Sequence, residues 1–214
     1  MKVSPSILTC DFAHMADAVA LCEQSGADML HLDVMDGQFV PNLSFGPPVI
    51  ASLRPITPMF FDVHLMMERP DLLVDAFAKA GADLINFHVE CDADIDQTID
   101  RIKELGKQVA LTIKPKTPAS SVFPYLHKLD MVLIMTVEPG FGGQSFMGDM
   151  LPKIKEIKDE AARIGHPIDV QLDGGVGAGN AALCAESGAD IVVMGSAVFN
   201  AEDPKALVSM VQAL

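Results

Sequence analysis

The chain has 214 residues, half of them hydrophobic, and its 29 aspartates and glutamates outnumber 15 lysines and arginines to leave a formal net charge of −14. That length suffices for one sizeable core and predicts one domain over residues 1–214, while the acidic balance opposes binding to nucleic acid or an anionic membrane, where basic residues supply the attraction. No run of eighteen apolar residues occurs, MKVSPSIL lacks a basic region followed by a long apolar segment, and Cys10, Cys22, Cys91 and Cys184 stand far apart, so a soluble, unsecreted, cytoplasmic protein with reduced thiols is expected.

Along the chain, apolar β-rich runs recur at short intervals: KVSPSIL, MLHLDVM, MFFDVHLM, ADLINFHV, QVALTI, MVLIMTV, IDVQLD and DIVVMG. Helix-period stripes fall between them. Phe12, Met15, Val19 and Cys22 follow the first run, Ile95, Ile99 and Ile102 the fourth, and Met150, Ile154, Ile157, Ala161 and Ile164 the sixth. A weak repeat, SGAD at 25–28, AGAD at 80–83 and SGAD at 187–190, marks equivalent helix-to-strand turns, with glycine suited to a helix C-terminus. Near-continuous apolar strands alternating with helices predict a parallel sheet covered by helices, and eight of them favour closure. The expectation is an α/β fold, a (β/α)₈ TIM barrel near the lower end of its length range. Without GxGxxG, a dinucleotide-binding open sheet has little support.

In such barrels the active site lies at the C-terminal ends of the strands. His31 and Asp33 are two apart in the second strand and share a face, as do Asp62 and His64 in the third, and the seventh strand ends at Asp173. Two histidines and two aspartates meeting there would suit Zn²⁺, or Fe²⁺, Mn²⁺ or Co²⁺. Each alone reads equally well as a satisfied core or cap residue, but their coincidence at three strand ends favours a site. His88 and Glu90 also share a face, as a pair that backs the site or contacts a substrate. Asp36 and Gly37 read as turn residues opening QFVPNLSFGPP, a long loop suited to cover a site.

After the sixth strand, Gly140, Phe141, Gly142 and Gly143 place three glycines in four positions, letting the backbone turn sharply and present N–H groups to an oxyanion. Gly174 and Gly175 follow the seventh strand, and Gly195 and Ser196 the eighth, the loops that bind phosphate in this barrel class. A phosphorylated ligand is therefore expected despite the negative charge. Met35, Met66 and Met135 sit beside strand ends, where core filling is the plain reading and a polarisable wall around a carbanion the sharper one.

The motifs SPSIL, HLDVMDGQFVPN, DVHLM, TVEPGFGGQSF, LDGGV and GSAVF, in this order over essentially the whole chain, resemble the ribulose-phosphate 3-epimerase family. The resemblance implies a ribulose-phosphate-binding barrel that interconverts D-ribulose 5-phosphate and D-xylulose 5-phosphate with one divalent metal ion. It also implies the metal ligands His31, Asp33, His64 and Asp173, with Asp33 and Asp173 as the acid/base pair. Ser6 and His64 would contact substrate, Gly140 to Gly143, Gly174, Gly175, Gly195 and Ser196 would form the phosphate and substrate loops, and Met35, Met66 and Met135 the methionine wall. A homo-oligomer is implied as well. The departures are Gln171, often glutamate in the family and on the same strand face as Asp173, where it is placed to retune that carboxyl, and Thr9-Cys10 in place of a Ser-Ala pair.

Epimerisation at C3 removes a proton beside the C2 ketone and returns one on the opposite face, so one carboxyl starts ionised and the other protonated, with a cis-enediolate between. Three rivals stand beside this reading: a D-allulose 6-phosphate 3-epimerase, whose members tend to break the GFGGQ and DGGV motifs intact here; an isomerase or decarboxylase barrel, for which a DxKxxD strand end is missing; and a non-catalytic sugar-phosphate-binding protein, against which all four metal positions argue.

Overall fold

The computed structural model describes residues 1–214, whose regular elements are β1 (Lys2–Pro5), α1 (Met15–Gln24), β2 (Met29–Met35), α2 (Pro47–Leu53), β3 (Phe60–Met66), α3 (Val74–Ala80), β4 (Leu84–His88), α4 (Ile95–Glu104), β5 (Gln108–Ile113), β6 (Met131–Met135), α5 (Pro152–Ile164), β7 (Asp169–Asp173), α6 (Ala181–Glu186), β8 (Ile191–Met194), α7 (Ser196–Phe199) and α8 (Pro204–Gln212). All strand pairs are parallel, in the order β1-β8-β7-β6-β5-β4-β3-β2. A parallel bridge between Ser6 and His31 brings β1 against β2, so the eight strands form a nearly closed barrel. No helix is long and apolar enough to cross a membrane.

The expected strands and most expected helices are present, with local differences that have local causes. KVSPSIL stops being a strand at Pro5, because the Ser6 side chain accepts a hydrogen bond from the Leu8 N–H and turns Ile7–Thr9 into a 3₁₀ turn. Phe12 lies in a second 3₁₀ turn, capped by Asp11, and is 43% exposed, so the first apolar stripe begins at Met15 rather than Phe12. Between β5 and β6 the chain forms a 3₁₀ helix over Ala119–Lys128 that contains Pro124, whose missing N–H is incompatible with an α-helix interior.

The SGAD repeat proves to be structural. Its glycines Gly26, Gly81 and Gly188 take left-handed φ of 81°, 110° and 94°, ending the preceding helices. Its aspartates, joined by Asp130, stand just before the even-numbered strands and accept hydrogen bonds from N–H groups near the start of the odd-numbered ones. Asp28 accepts from Val3, Asp83 from Phe61, Asp130 from Val109 and Asp190 from Val170, each at 2.8 Å. Each aspartate N–H also donates back to the carbonyl of the same residue. Four equivalent clamps thereby fix the N-terminal rim, where strand ends would otherwise leave donors unpaired.

Met29, Leu84, Ala110, Met131 and Ile191 pack together inside the barrel at that rim. Further along the strands the buried interior turns polar, with Ser4, His31, Asp33, Asp62, His64, Asn86, His88, Thr112 and Gln171 all inaccessible or nearly so. Such a set costs stability unless its members pair, so its concentration at the C-terminal end locates the chemistry.

Candidate active site

Strand register decides which side chains meet. Pairing of β2 with β3 sets His31 beside Asp62 and Asp33 beside His64, and pairing of β6 with β7 sets Met135 beside Asp173. The His64 Nδ1 stands 3.0 Å from Asp33 Oδ1 and 3.3 Å from His31 Nε2. His31 Nε2 is 3.2 Å from Asp33 Oδ1, and Asp173 Oδ2 lies 4.0 Å from His31 Nε2 and 3.9 Å from His64 Nδ1. One donor atom from each of His31, Asp33, His64 and Asp173 thus lies within 4.8 Å of the others. The structure brings together the four residues proposed as ligands, on strands far apart in sequence.

Three of the four, His31, Asp33 and His64, are also bound from behind. His31 donates from Nδ1 to Asp62 Oδ2 at 2.7 Å, and Gln171 donates its amide to the same oxygen at 2.8 Å. Gln171 therefore reaches Asp62 on β3, not its strand neighbour Asp173. The Ser6 hydroxyl donates to Asp33 Oδ2. On the other side, His64 Nε2 is 2.9 Å from His88 Nε2, and His88 Nδ1 is 3.2 Å from Glu90 Oε2. His88 and Glu90 form a pair that backs the site rather than a further ligand set.

Burial and neighbouring charge divide these groups. Burial alone would push His31 toward its neutral form, but Asp33 and Asp62 outweigh it and hold the imidazole well above its ordinary pKa. Burial also works against a charge on Asp33, yet the charge of the His31 imidazolium and its hydrogen bond keep the carboxyl far below the usual range. Asp173 has no comparable partner: burial, reinforced by the nearby Asp33 charge, raises it to about 6. Two carboxyls facing one cavity are thereby biased toward opposite protonation states.

The cavity holds about 470 Å³ and is lined by Ser6, Asp33, Asp173, Met35, Met66 and Met135, together with Gly140 to Gly143, Gly174, Gly175, Gly195 and Ser196. No lysine or arginine lines it. Gly175 shows why glycine stands there: its φ is +68°, and a Cβ would lie 2.6 Å from the Phe146 nitrogen, so the loops after β6 and β7 touch backbone to backbone. The loop after β2 packs beside the site. Asp36 caps its turn by accepting from the Gln38 and Phe39 N–H groups, Ser44 donates to the Asp33 carbonyl, and Asn42 donates to the Gly140 carbonyl at 2.8 Å. Val40 packs on Met35 and Met66, which form an apolar wall with the loop, whereas Met135 packs separately with Leu133 and Val137.

A family model described as the ribulose-phosphate 3 epimerase family matches residues 2–199. The chain belongs to the ribulose-phosphate 3-epimerase family. It is 45% identical over 213 residues to a Bacillus subtilis protein named ribulose-phosphate 3-epimerase, covering 99% of this chain and 98% of that one. A chloroplastic ribulose-5-phosphate-3-epimerase of Arabidopsis thaliana is 44% identical over 203 residues, 94% of this chain and 72% of the relative. Among solved structures, a 3-hexulose-6-phosphate synthase superposes with a TM-score of 0.73 at 18% identity, covering 100% of this chain and 99% of that one, which is a likeness of fold.

Three contributors were not assigned their roles from sequence. Asp62 showed only as sharing a face with His64, and Gln171 only as a departure on the Asp173 face. Thr9 is the third: its buried hydroxyl and methyl sit between the glycine loops, the methyl 2.7 Å from where a Cβ on Gly142 would stand and the hydroxyl 3.0 Å from one on Gly195. The Thr9-Cys10 departure was its only signal.

Proposed function

We propose that the chain interconverts D-ribulose 5-phosphate and D-xylulose 5-phosphate by inverting C3, with a divalent cation held by His31, Asp33, His64 and Asp173. The observation that carries this reading is the convergence of four donor atoms within 4.8 Å, on a cavity also walled by three glycine loops. The names of the relatives support the substrate. Two imidazoles and two carboxylates fit zinc, and fit Fe²⁺, Mn²⁺ or Co²⁺ almost as well. When bound, the cation supplies Lewis-acid stabilisation of the charge that develops beside the reacting carbon.

The chain's own groups do the rest. Asp33, ionised and steadied by the Ser6 hydroxyl, removes or returns a proton on one face of C3. Asp173, the carboxyl inclined to keep its proton, serves the opposite face, and the two exchange roles for the reverse reaction through a cis-enediolate. Met35, Met66 and Met135 wall that intermediate without offering an acidic proton. With no cationic side chain in the cavity, the phosphate is met by backbone N–H groups of Gly140 to Gly143, Gly174, Gly175, Gly195 and Ser196, which an acidic protein supplies at no cost to its net charge. On family grounds this reading includes a single-domain subunit of a homo-oligomer working in the cytoplasm.

A coupled assay for D-xylulose 5-phosphate formation tests the proposal directly. Exhaustive chelation is expected to abolish turnover, and Zn²⁺, Co²⁺, Mn²⁺ or Fe²⁺ to restore it. Full activity in protein shown metal-free by elemental analysis overturns the metal role, and turnover of D-allulose 6-phosphate in preference to the pentulose overturns the substrate.

A further inference from the structure

Behind His64 a chain of hydrogen-bonded groups, fully buried at its inner end and half-buried at its outer end, runs from the barrel interior to the loop after β5. His64 and His88 are both fully buried, with ring centroids 5.0 Å apart and Nε2 atoms at 2.9 Å. His88 Nδ1 lies 3.2 Å from Glu90 Oε2. The other oxygen of Glu90 accepts hydrogen bonds from the Lys114 N–H, at 2.8 Å, and from the Thr117 hydroxyl. Lys153 in turn donates to the Pro115 and Thr117 carbonyls at 2.7 Å each, pinning the loop that holds the carboxylate.

The polarity of this chain follows from its outer end. An ionised carboxylate only accepts, so the ring nitrogen of His88 facing Glu90 must carry a hydrogen. A neutral imidazole has one N–H, which leaves Nε2 of His88 as an acceptor, and the group facing it, Nε2 of His64, must then donate. The single hydrogen of His64 is thereby placed on Nε2, and its Nδ1 presents a lone pair toward Asp33, His31 and Asp173. That lone pair faces Asp33 Oδ1 across 3.0 Å, an arrangement that a cation between them satisfies. The reversed chain, with hydrogens on both nitrogens of His88, would put a hydrogen on His64 Nδ1 and close that nitrogen to a metal.

We propose that Glu90 and His88 are positioning residues that select the Nε2–H tautomer of His64 and so aim its Nδ1 lone pair at the divalent cation. This rests on the reading that His31, Asp33, His64 and Asp173 hold a cation. It extends to two histidines in series the common arrangement in which a ligating histidine donates its other N–H to a carboxylate or carbonyl.

Zinc affinity, measured by chelator competition rather than by turnover, tests it. Glu90→Gln, which keeps shape and loses charge, is expected to weaken zinc about tenfold, and His88→Leu up to about 100-fold, the range seen when such outer partners are removed. His88→Gln places an amide oxygen near the former Nε2 and is expected to recover most of the loss, which a merely space-filling role for His88 would not produce. In the zinc-loaded parent, long-range ¹⁵N–¹H spectra are expected to show hydrogens on His64 Nε2 and His88 Nδ1. Parental zinc affinity in Glu90→Gln and His88→Leu, or His88→Gln no better than His88→Leu, overturns the proposal while leaving the metal site standing, provided Asp173→Ala loses zinc. A parent protein that takes up no zinc overturns both.

Discussion

Gln171 on β7 donates its amide to Asp62 on β3 at 2.8 Å, across the buried interior of the barrel, and the same Asp62 oxygen receives the Nδ1–H of His31. A neutral donor thus leaves Asp62 free to act as the carboxylate that orients a metal-facing histidine. Asp62→Asn removes that charge and is expected to weaken zinc binding about 10–100-fold. Gln171→Glu sets a second carboxyl against the first, and two carboxyls so close hold one proton between them, preserving a single negative charge behind His31. Its zinc affinity at neutral pH is expected to stay within about tenfold of the parent. Chelator competition on both variants checks this, and an equal loss in the two would show that the amide itself is required.

Metal uptake is expected to strengthen as pH rises through 6. In the metal-free protein Asp173 is raised to about 6 by burial and by Asp33, so below that pH a proton competes with the cation for its oxygen. His31 is held protonated by Asp33 and Asp62 against the effect of burial, and ligation through its Nε2 must displace that proton as well. The sign follows: binding releases protons, so affinity falls as pH falls. Calorimetric zinc titrations in buffers of different ionisation enthalpy count the protons, and zinc uptake without release at pH 6 would contradict these protonation states.

Much of this architecture was legible in the sequence because its determinants are local. Near-continuous apolar runs mark strands covered on both faces, and the SGAD turns mark the beginnings of three of them, whereas the clamping role of the aspartates needs the neighbouring strand and emerges only in the structure. Residue parity in β2, β3 and β7 was enough to put His31, Asp33, His64 and Asp173 on inward faces. Parity says nothing about partners across a barrel, however, so the Gln171–Asp62 bond was out of reach: strand neighbours suggested Asp173, while side-chain length and rotamer selected Asp62. The exposure of Phe12 was hidden for a similar reason, since the Asp11 cap breaks the helical period that the apolar spacing suggests.

Gly142→Asp is expected to raise the Michaelis constant at least about tenfold, equivalent to about 1.4 kcal/mol of binding. A Cβ there would stand 2.7 Å from the Thr9 methyl, and the added carboxylate would lie among the glycine loops proposed to hold the phosphate. A Michaelis constant unchanged from the parent would move the phosphate elsewhere in the cavity.

The two aspartates separate epimerisation from the isomerase, decarboxylase and non-catalytic readings of this barrel. They reach the cavity from β2 and β7, with β1 and β8 between them in the sheet, and their environments bias them to opposite protonation states. Asp33→Asn and Asp173→Asn are each expected to lose about 10²–10⁴-fold in turnover, the usual contribution of a positioned acid or base. Each also removes a proposed ligand, so zinc content must be measured alongside the rate. Solvent exchange then discriminates: in D₂O, a zinc-loaded variant that keeps one carboxyl should wash deuterium into C3 of the epimer whose proton faces that carboxyl, without converting it. The two variants should exchange opposite epimers. If both exchange the same epimer equally, or both still epimerise at near-parental rates, Asp33 and Asp173 do not serve opposite faces of the substrate.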